Sequence, residues 1–246
     1  MAKDYLMTHA APFIFHKPGS FPRLLPGEIH LWCARLIPQP GVVPYFHNLL
    51  DKDERARALS FYHDRDRVRY ILAHGYLRSL LGKYINERPS EVIFRYEAQG
   101  KPYLESHPVE FNMSHSSDRA VFVFSQDRVL GVDIEGRREI PEAEDIINRL
   151  FTSREKWNFK LTSKNNRQDL FLKWWTQGEA VVKAVGHGFG ERLGAVSRRK
   201  VIKEGKTWGM ESFIPAPGYI GAIAALMPLS NISCFTLDDG LIKPLE

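Results

Sequence analysis

Val129-Leu-Gly-Val-Asp-Ile-Glu-Gly136 and Trp174-Trp-Thr-Gln-Gly-Glu-Ala-Val-Val-Lys-Ala-Val-Gly186 decide the reading of this chain, the first as a strand and the second as a helix. In an extended strand residues i and i+2 point to one face, so Asp133 and Glu135 offer oxygens to one small volume while Ile134 turns into the core. On a helix, i and i+4 are neighbours, so Glu179 and Lys183 share a face one turn apart. Three carboxylates and a lysine are the parts needed to hold a divalent cation beside a phosphate ester. Mg2+ prefers oxygen ligands and commonly sits on a few carboxylates plus substrate phosphates, which leaves Lys183 to meet the phosphate. Each piece alone has a plainer reading. An acid-apolar-acid triplet also suits the solvated face of a strand, and Glu179 with Lys183 also suits an exposed helix ion pair.

Upstream of the acidic strand lie Gly100-Lys-Pro-Tyr-Leu104 and Phe111-Asn-Met-Ser-His-Ser116. Val92-Ile-Phe-Arg-Tyr96, Phe111-Asn-Met113, Ala120-Val-Phe-Val-Phe124 and Val129 to Ile134 read as short strands. Before them, Asp51-Lys-Asp-Glu54 has the spacing of a helix N-terminus. A basic stretch follows with Arg55, Arg57, Arg65, Arg67 and Arg69, and then Tyr70, Ala73, Leu77, Leu80, Leu81 and Tyr84 recur at helical spacing until Pro89. The chain through Leu50 is punctuated by Pro12, Pro18, Pro22, Pro26, Pro38, Pro40 and Pro44, and only Glu28 to Arg35 reads there as a strand.

The second half repeats the coarse plan. Thr152-Ser-Arg-Glu155 has the form of a capping box, and Gln168 to Val185 forms a helix with Leu170, Phe171, Trp174, Val181 and Val185 as its core stripe. Strands are expected at Lys206 to Phe213, Tyr219 to Leu226 and Ile232 to Leu237. Trp157, Trp174 and Trp175 are expected in the core, with Trp175 alternatively walling the metal pocket. Helices followed by strands, twice, predict an α+β fold of two subdomains, residues 1–135 and 136–246. The division falls where Gly136-Arg-Arg-Glu-Ile-Pro141 breaks the pattern.

Four blocks in this order, Gly-Lys-Pro, Phe-Asn-x-Ser-His-Ser, Gly-Val-Asp-Ile-Glu and Trp-Thr-x-x-Glu-Ala-x-x-Lys-Ala-x-Gly, resemble the 4'-phosphopantetheinyl transferases. The likeness is to the longer, pseudo-dimeric type that serves carrier proteins of peptide, polyketide and fatty acid synthesis, and it runs from about Asp53 to Gly188. The resemblance implies two similar subdomains related by a pseudo-twofold. It implies Mg2+-dependent transfer of the phosphopantetheine arm of coenzyme A to a serine of an apo acyl or peptidyl carrier protein, with release of adenosine 3',5'-bisphosphate. Asp133, Glu135 and Glu179 match the family's Mg2+ carboxylates. Glu179 is the implied base for the incoming serine, directly or through a metal-bound water, and Lys183 the lysine that stabilises or protonates the leaving group. Ser114 and His115 match the residues that meet the 3'-phosphate side of coenzyme A, Lys101 and Arg57 match further phosphate contacts, and Arg69 is an additional candidate. Arg55, Arg65 and Arg67 read as a solvated basic face. One position departs from the family: Gly178 stands where a lysine usually precedes the catalytic acid, and glycine inside a helix costs up to roughly 1 kcal/mol against alanine.

The 246 residues, 43% hydrophobic and 26% charged, are ordinary for a soluble globular protein, and no run of about 18 apolar residues occurs. Met1 to Ala10 lacks the apolar segment of a secretory signal, so a cytoplasmic protein without membrane insertion is expected. Cys33 and Cys234 are too few for a disulfide scaffold and read as buried or incidental thiols. A net charge of +5 suits an acidic partner, and carrier proteins present an acidic helix beside the target serine. The same charge suits a nucleic-acid module, but no base-reading motif or arginine-rich tail accompanies it, so no nucleic acid is expected. Another Mg2+-dependent phosphohydrolase, with water as nucleophile, would share the three-acid logic. With both halves in one chain, a monomer is expected.

Overall fold

The computed structural model describes residues 13–186, 200–203 and 205–237. Met1 to Ala10 and the end of the motif span, Gly188, lie outside them. The expected first strand is β1 (Ile29–Arg35), buried along almost all of its length. The prolines after it do not keep the chain extended: Val42–Leu49 forms α1, a helix the sequence reading did not anticipate. Gly41 enters it at φ 80°, and Pro44 falls in the first turn, where its missing N–H removes no helical hydrogen bond. The expected capping box opens α2 (Lys52–Leu59). The Glu54 N–H donates to Asp51 Oδ1 at 2.9 Å, and the Asp51 N–H to Glu54 Oε2 at 3.1 Å. The basic stretch is divided by the turn after α2, and the helix restarts as α3 (Asp64–Ile85). Ala73, Leu77, Leu80 and Leu81 of its predicted stripe are fully buried.

The strand expected at Val92 to Tyr96 shrinks to β2 (Arg95–Tyr96), paired with β3 (Pro102–Tyr103). Arg78 of α3 competes for the strand's first carbonyl: its Nη1 donates to that of Val92 at 2.8 Å, a group that a longer ladder would need. β4 (Glu110–Ser116) and β5 (Arg119–Ser125) form a hairpin, followed by β6 (Leu130–Gly136). Then come α4 (Ala143–Leu150), α5 (Ser153–Leu161) with its predicted Thr152–Glu155 capping box, and α6 (Lys164–Val185). The chain ends in β7 (Lys200–Lys203), β8 (Lys206–Phe213), β9 (Tyr219–Leu226) and β10 (Ile232–Thr236).

Among the described residues the strands make two four-stranded sheets, ordered β10-β1-β5-β4 and β6-β9-β8-β7. The architecture is α+β, but the sheets do not follow the 1–135 and 136–246 division. β6 pairs with β9 in the second sheet, and β10 returns to lie parallel to β1 in the first, with Leu31 opposite Cys234. Strand alternation sorts the core into three parts. Trp32, Ala34, Phe122 and Phe124 pack with α1 and α3, while Met210, Ala222 and Ala224 pack with α6. Between the sheets lie Ile29, Leu31, Val121 and Val123 of the first, against Leu130, Val132, Ile134 and Ile223 of the second. Both faces of β1, β5 and β9 are therefore buried, which is why Ala120 to Phe124 is apolar throughout. At about 1.5–3 kcal/mol for each large side chain removed from water, the layer between the sheets holds the halves together.

Cys33 and Cys234 are buried free thiols, pushed by burial up to about 11 and about 12. Trp174 is buried, and Trp175 stacks on Phe171 at 5.9 Å between ring centres. Trp157 is not a core residue: it is 63% exposed, because α5 buries Phe159 and Glu155 and carries Trp157 away from them. No helix among the described residues is long and apolar enough to cross a membrane.

Candidate active site

Gly131 lets β6 and α6 touch. A Cβ at that position would lie 2.2 Å from the Ala180 carbonyl oxygen and 2.5 Å from the Ala184 nitrogen. Residues 131, 133 and 135 share one strand face, so the approach carries Asp133 and Glu135 to the helix bearing Glu179 and Lys183. Ile134, of opposite parity, fills the layer between the sheets.

The second wall is β4. β4 and β6 each end the order of their sheet, and side chains stitch the two edges. Asn112 Oδ1 accepts from the Val132 N–H, and Ser116 Oγ accepts from the Gly136 N–H, each at 3.1 Å. Ser114 Oγ donates to Asp133 Oδ1 at 2.8 Å, and Ser116 Oγ to Glu135 Oε2 at 2.9 Å. The polar residues of Phe111 to Ser116 thus satisfy an edge that would otherwise hold unpaired backbone groups. Sequence reasoning picked Ser114 and His115 from this motif and passed over Asn112 and Ser116, although the alternation that marks Ser114 marks both of these as well.

Lys183 Nζ donates to Asp133 Oδ1 at 2.7 Å and to Ser114 Oγ at 2.9 Å. Burial raises the Asp133 pKa, opposed by Lys183 and Ser114. Burial, reinforced by the charge of Asp133 and opposed by Lys183, pushes Glu179 up to about 7. Glu135 is held apart by Ser116 and by Arg138, whose Nη1 donates to Oε2 at 2.7 Å. Among the described residues no three His, Cys, Asp or Glu side chains are gathered as a metal cluster. Lys183 occupies one Asp133 oxygen, and Glu135 faces Arg138. Two buried carboxylate oxygens nevertheless have no partner, Asp133 Oδ2 and Glu179 Oε1. Hard anionic donors left unpaired in this way fit an oxygen-preferring divalent cation.

The other expected residues lie outward from this centre. His115, exposed on β4, has its pKa lowered by the protein packed around it and then by the charges of His74, Lys183 and Arg69. Arg57 is exposed on α2, its guanidinium 5.3 Å from the ring centre of Phe61. Arg69 pairs with Asp66 at 3.5 Å and lines a hollow of about 360 Å³, whose lining excludes the β6 and α6 carboxylates. Lys101 does not turn to those carboxylates: its Nζ donates to the Ala184 carbonyl at 3.0 Å and lies 3.5 Å from that of Leu130. Burial lowers its pKa. Gly178 lies on the buried side of α6.

Comparison with known proteins fits this arrangement to a lineage. The 4'-phosphopantetheinyl transferase HetI of Nostoc sp. is 31% identical over 210 residues, covering 82% of this chain and 89% of the relative. This chain belongs to the 4'-phosphopantetheinyl transferase superfamily. The superfamily profile matches residues 129–204, and the profile described as 4'-phosphopantetheinyl transferase, N-terminal, matches residues 38–127. Two further relatives are transferases of Bacillus subtilis. Sfp is 27% identical over 155 residues, 63% of this chain and 68% of its own, and ffp is 27% identical over 191 residues, 74% and 84%. As a 4'-phosphopantetheinyl transferase the chain is an enzyme. The two profiles meet between β5 and β6, where the chain crosses from one sheet to the other.

Proposed function

We propose that this transferase moves the 4'-phosphopantetheine arm of coenzyme A onto a serine hydroxyl of an apo acyl or peptidyl carrier protein. The observation that carries the reading is the Glu179 carboxyl: buried, unpartnered at Oε1, shifted to about 7, and one helical turn from a lysine bound to Asp133. A buried carboxylate oxygen with no partner in the protein is free to accept the proton of an incoming hydroxyl. Glu179 takes the serine proton as the serine oxygen attacks the phosphorus bearing the pantetheine, and the pyrophosphate P–O bond breaks to release adenosine 3',5'-bisphosphate. Lys183, with Ser114 and Asp133 fixing its ammonium, donates to the phosphate oxygens and stabilises or protonates the leaving group. Asp133, Glu135 and Glu179 are the residues that would hold Mg2+, which neutralises charge on the pyrophosphate when bound. Arg57, Lys101, Ser114 and His115 bind the phosphates of the nucleotide end, which requires Lys101 to leave the Ala184 carbonyl and the Ser114 hydroxyl to turn from Asp133.

The net charge of +5 complements an acidic carrier. Because β4, β6 and α6 come from one chain, the reading is of a monomer, working in the cytoplasm. The test is intact mass spectrometry of apo carrier proteins incubated with enzyme, coenzyme A and Mg2+. A gain of one phosphopantetheine arm, lost with EDTA, is expected. Coenzyme A cleaved with no carrier modified would replace the transferase reading by a hydrolase.

A further inference from the structure

We propose that His74 of α3 binds the 3'-phosphate of coenzyme A, closing a cationic rim with Arg57, Arg69 and His115. The inference rests on the transferase reading and adds to it a residue outside the four motif blocks. Alternation on β4 sets the geometry. Ser114 and Ser116 face β6, so residues 111, 113 and 115 face the other way, and Phe111 and Met113 pack in the core that α3 also fills. His115 continues that register at the exposed end of the strand. The His74 charge is the largest that it experiences, ahead of Lys183 and Arg69.

His74 is built to present one nitrogen. Its Nδ1 lies 2.8 Å from Glu54 Oε1, and Glu54 is itself buried and held by further partners. Arg78, fully buried, donates from Nε to Glu54 Oε2 at 2.6 Å and from Nη2 to Asp51 Oδ2 at 2.7 Å. A fixed carboxylate keeps the ring proton on Nδ1 and orients the imidazole, so Nε2 is the nitrogen left for a ligand. No hydrogen bond to Nε2 forms among the described residues, and the side chain keeps 18% of its exposure. A phosphate oxygen at Nε2 would accept a hydrogen bond from a second ring proton, with Glu54 carrying the balancing charge.

An aromatic ladder joins the His74 ring to Arg57, one of the residues assigned to phosphate above. Tyr70 stacks on His74 at 3.9 Å, Phe61 lies 5.4 Å from Tyr70, and the Arg57 guanidinium sits over Phe61 at 5.3 Å. Arg57 and His74 thus stand at the two ends of one series of ring contacts spanning α2 and α3. Asp66 shares that neighbourhood, but it is paired with Arg69.

The experiment is isothermal titration calorimetry of the full chain with coenzyme A and with 3'-dephospho-coenzyme A. His74→Asn keeps an amide donor for Glu54 and removes Nε2. It is expected to weaken coenzyme A binding by about tenfold and to leave 3'-dephospho-coenzyme A within about twofold. His74→Arg, which returns a cation, is expected to recover most of the loss. Equal weakening of both ligands by His74→Asn would mean that His74 acts only by holding α2 to α3, and no weakening of either would remove it from the site; both overturn the proposal. If the unsubstituted protein binds neither ligand, the transferase reading itself fails, a result distinct from both.

Discussion

Replacing Gly131 by alanine tests whether the site depends on the contact between β6 and α6. The new Cβ would lie 2.2 Å from Ala180 O, 2.5 Å from Ala184 N and 3.0 Å from Ala184 Cα. All three are helix backbone, so no rotamer change relieves the clash, and strand and helix must part by roughly 1 Å to reach ordinary contact. Overpacking of this kind costs about 1–3 kcal/mol. The same movement shifts Asp133 against Glu179 and Lys183, and a displacement of about 1 Å at reacting groups is enough to lower a rate by about 10²-fold. Urea denaturation should therefore show a lower midpoint with an unchanged slope, and carrier modification followed by mass should slow by about two orders of magnitude at temperatures where the variant is fully folded. Gly19→Ala is the control, because a Cβ there meets nothing within 4 Å. If Gly131→Ala matches the parent in both midpoint and turnover, the close approach of β6 and α6 is wrong, and the geometry built on it goes too.

Glu179→Gln should lower turnover by about 10²–10⁴-fold. The same carboxyl makes a stability prediction for the metal-free protein. Folded Glu179 keeps its proton to about 7, whereas in the unfolded chain it ionises near about 4.3, so the folded state binds more protons across that window and stability falls as pH rises. Melting of Glu179→Gln should match the parent at about pH 4 and exceed it at about pH 8; a constant offset at both would refute the assignment. Arg78→Met should cost about 3–5 kcal/mol in urea unfolding, because it leaves Glu54 buried without its main cation. A loss below about 1 kcal/mol would mean that the ion pair is replaceable by packing.

The devices that the sequence determined are those whose physics is local. A capping box needs only residues i and i+3, so Asp51 with Glu54 and Thr152 with Glu155 were legible before any fold was known. The two-residue period gave Asp133 and Glu135 one face, and the helical period gave Glu179 and Lys183 theirs. Tertiary structure decided whatever depends on a distant partner. β10 closes on β1, and β6 belongs with β9, because strands pair through space, and no local pattern names the neighbour. The Val92 carbonyl is taken by Arg78, which lies fourteen residues upstream in sequence. Trp157 faces outward because α5 could bury only one side. The chemistry of the site belongs to this second class. Glutamate at 179 was plain from the sequence, but its displaced acidity comes from burial beside Asp133, and the bond of Lys183 to that same aspartate exists only because Gly131 lets the strand and the helix meet.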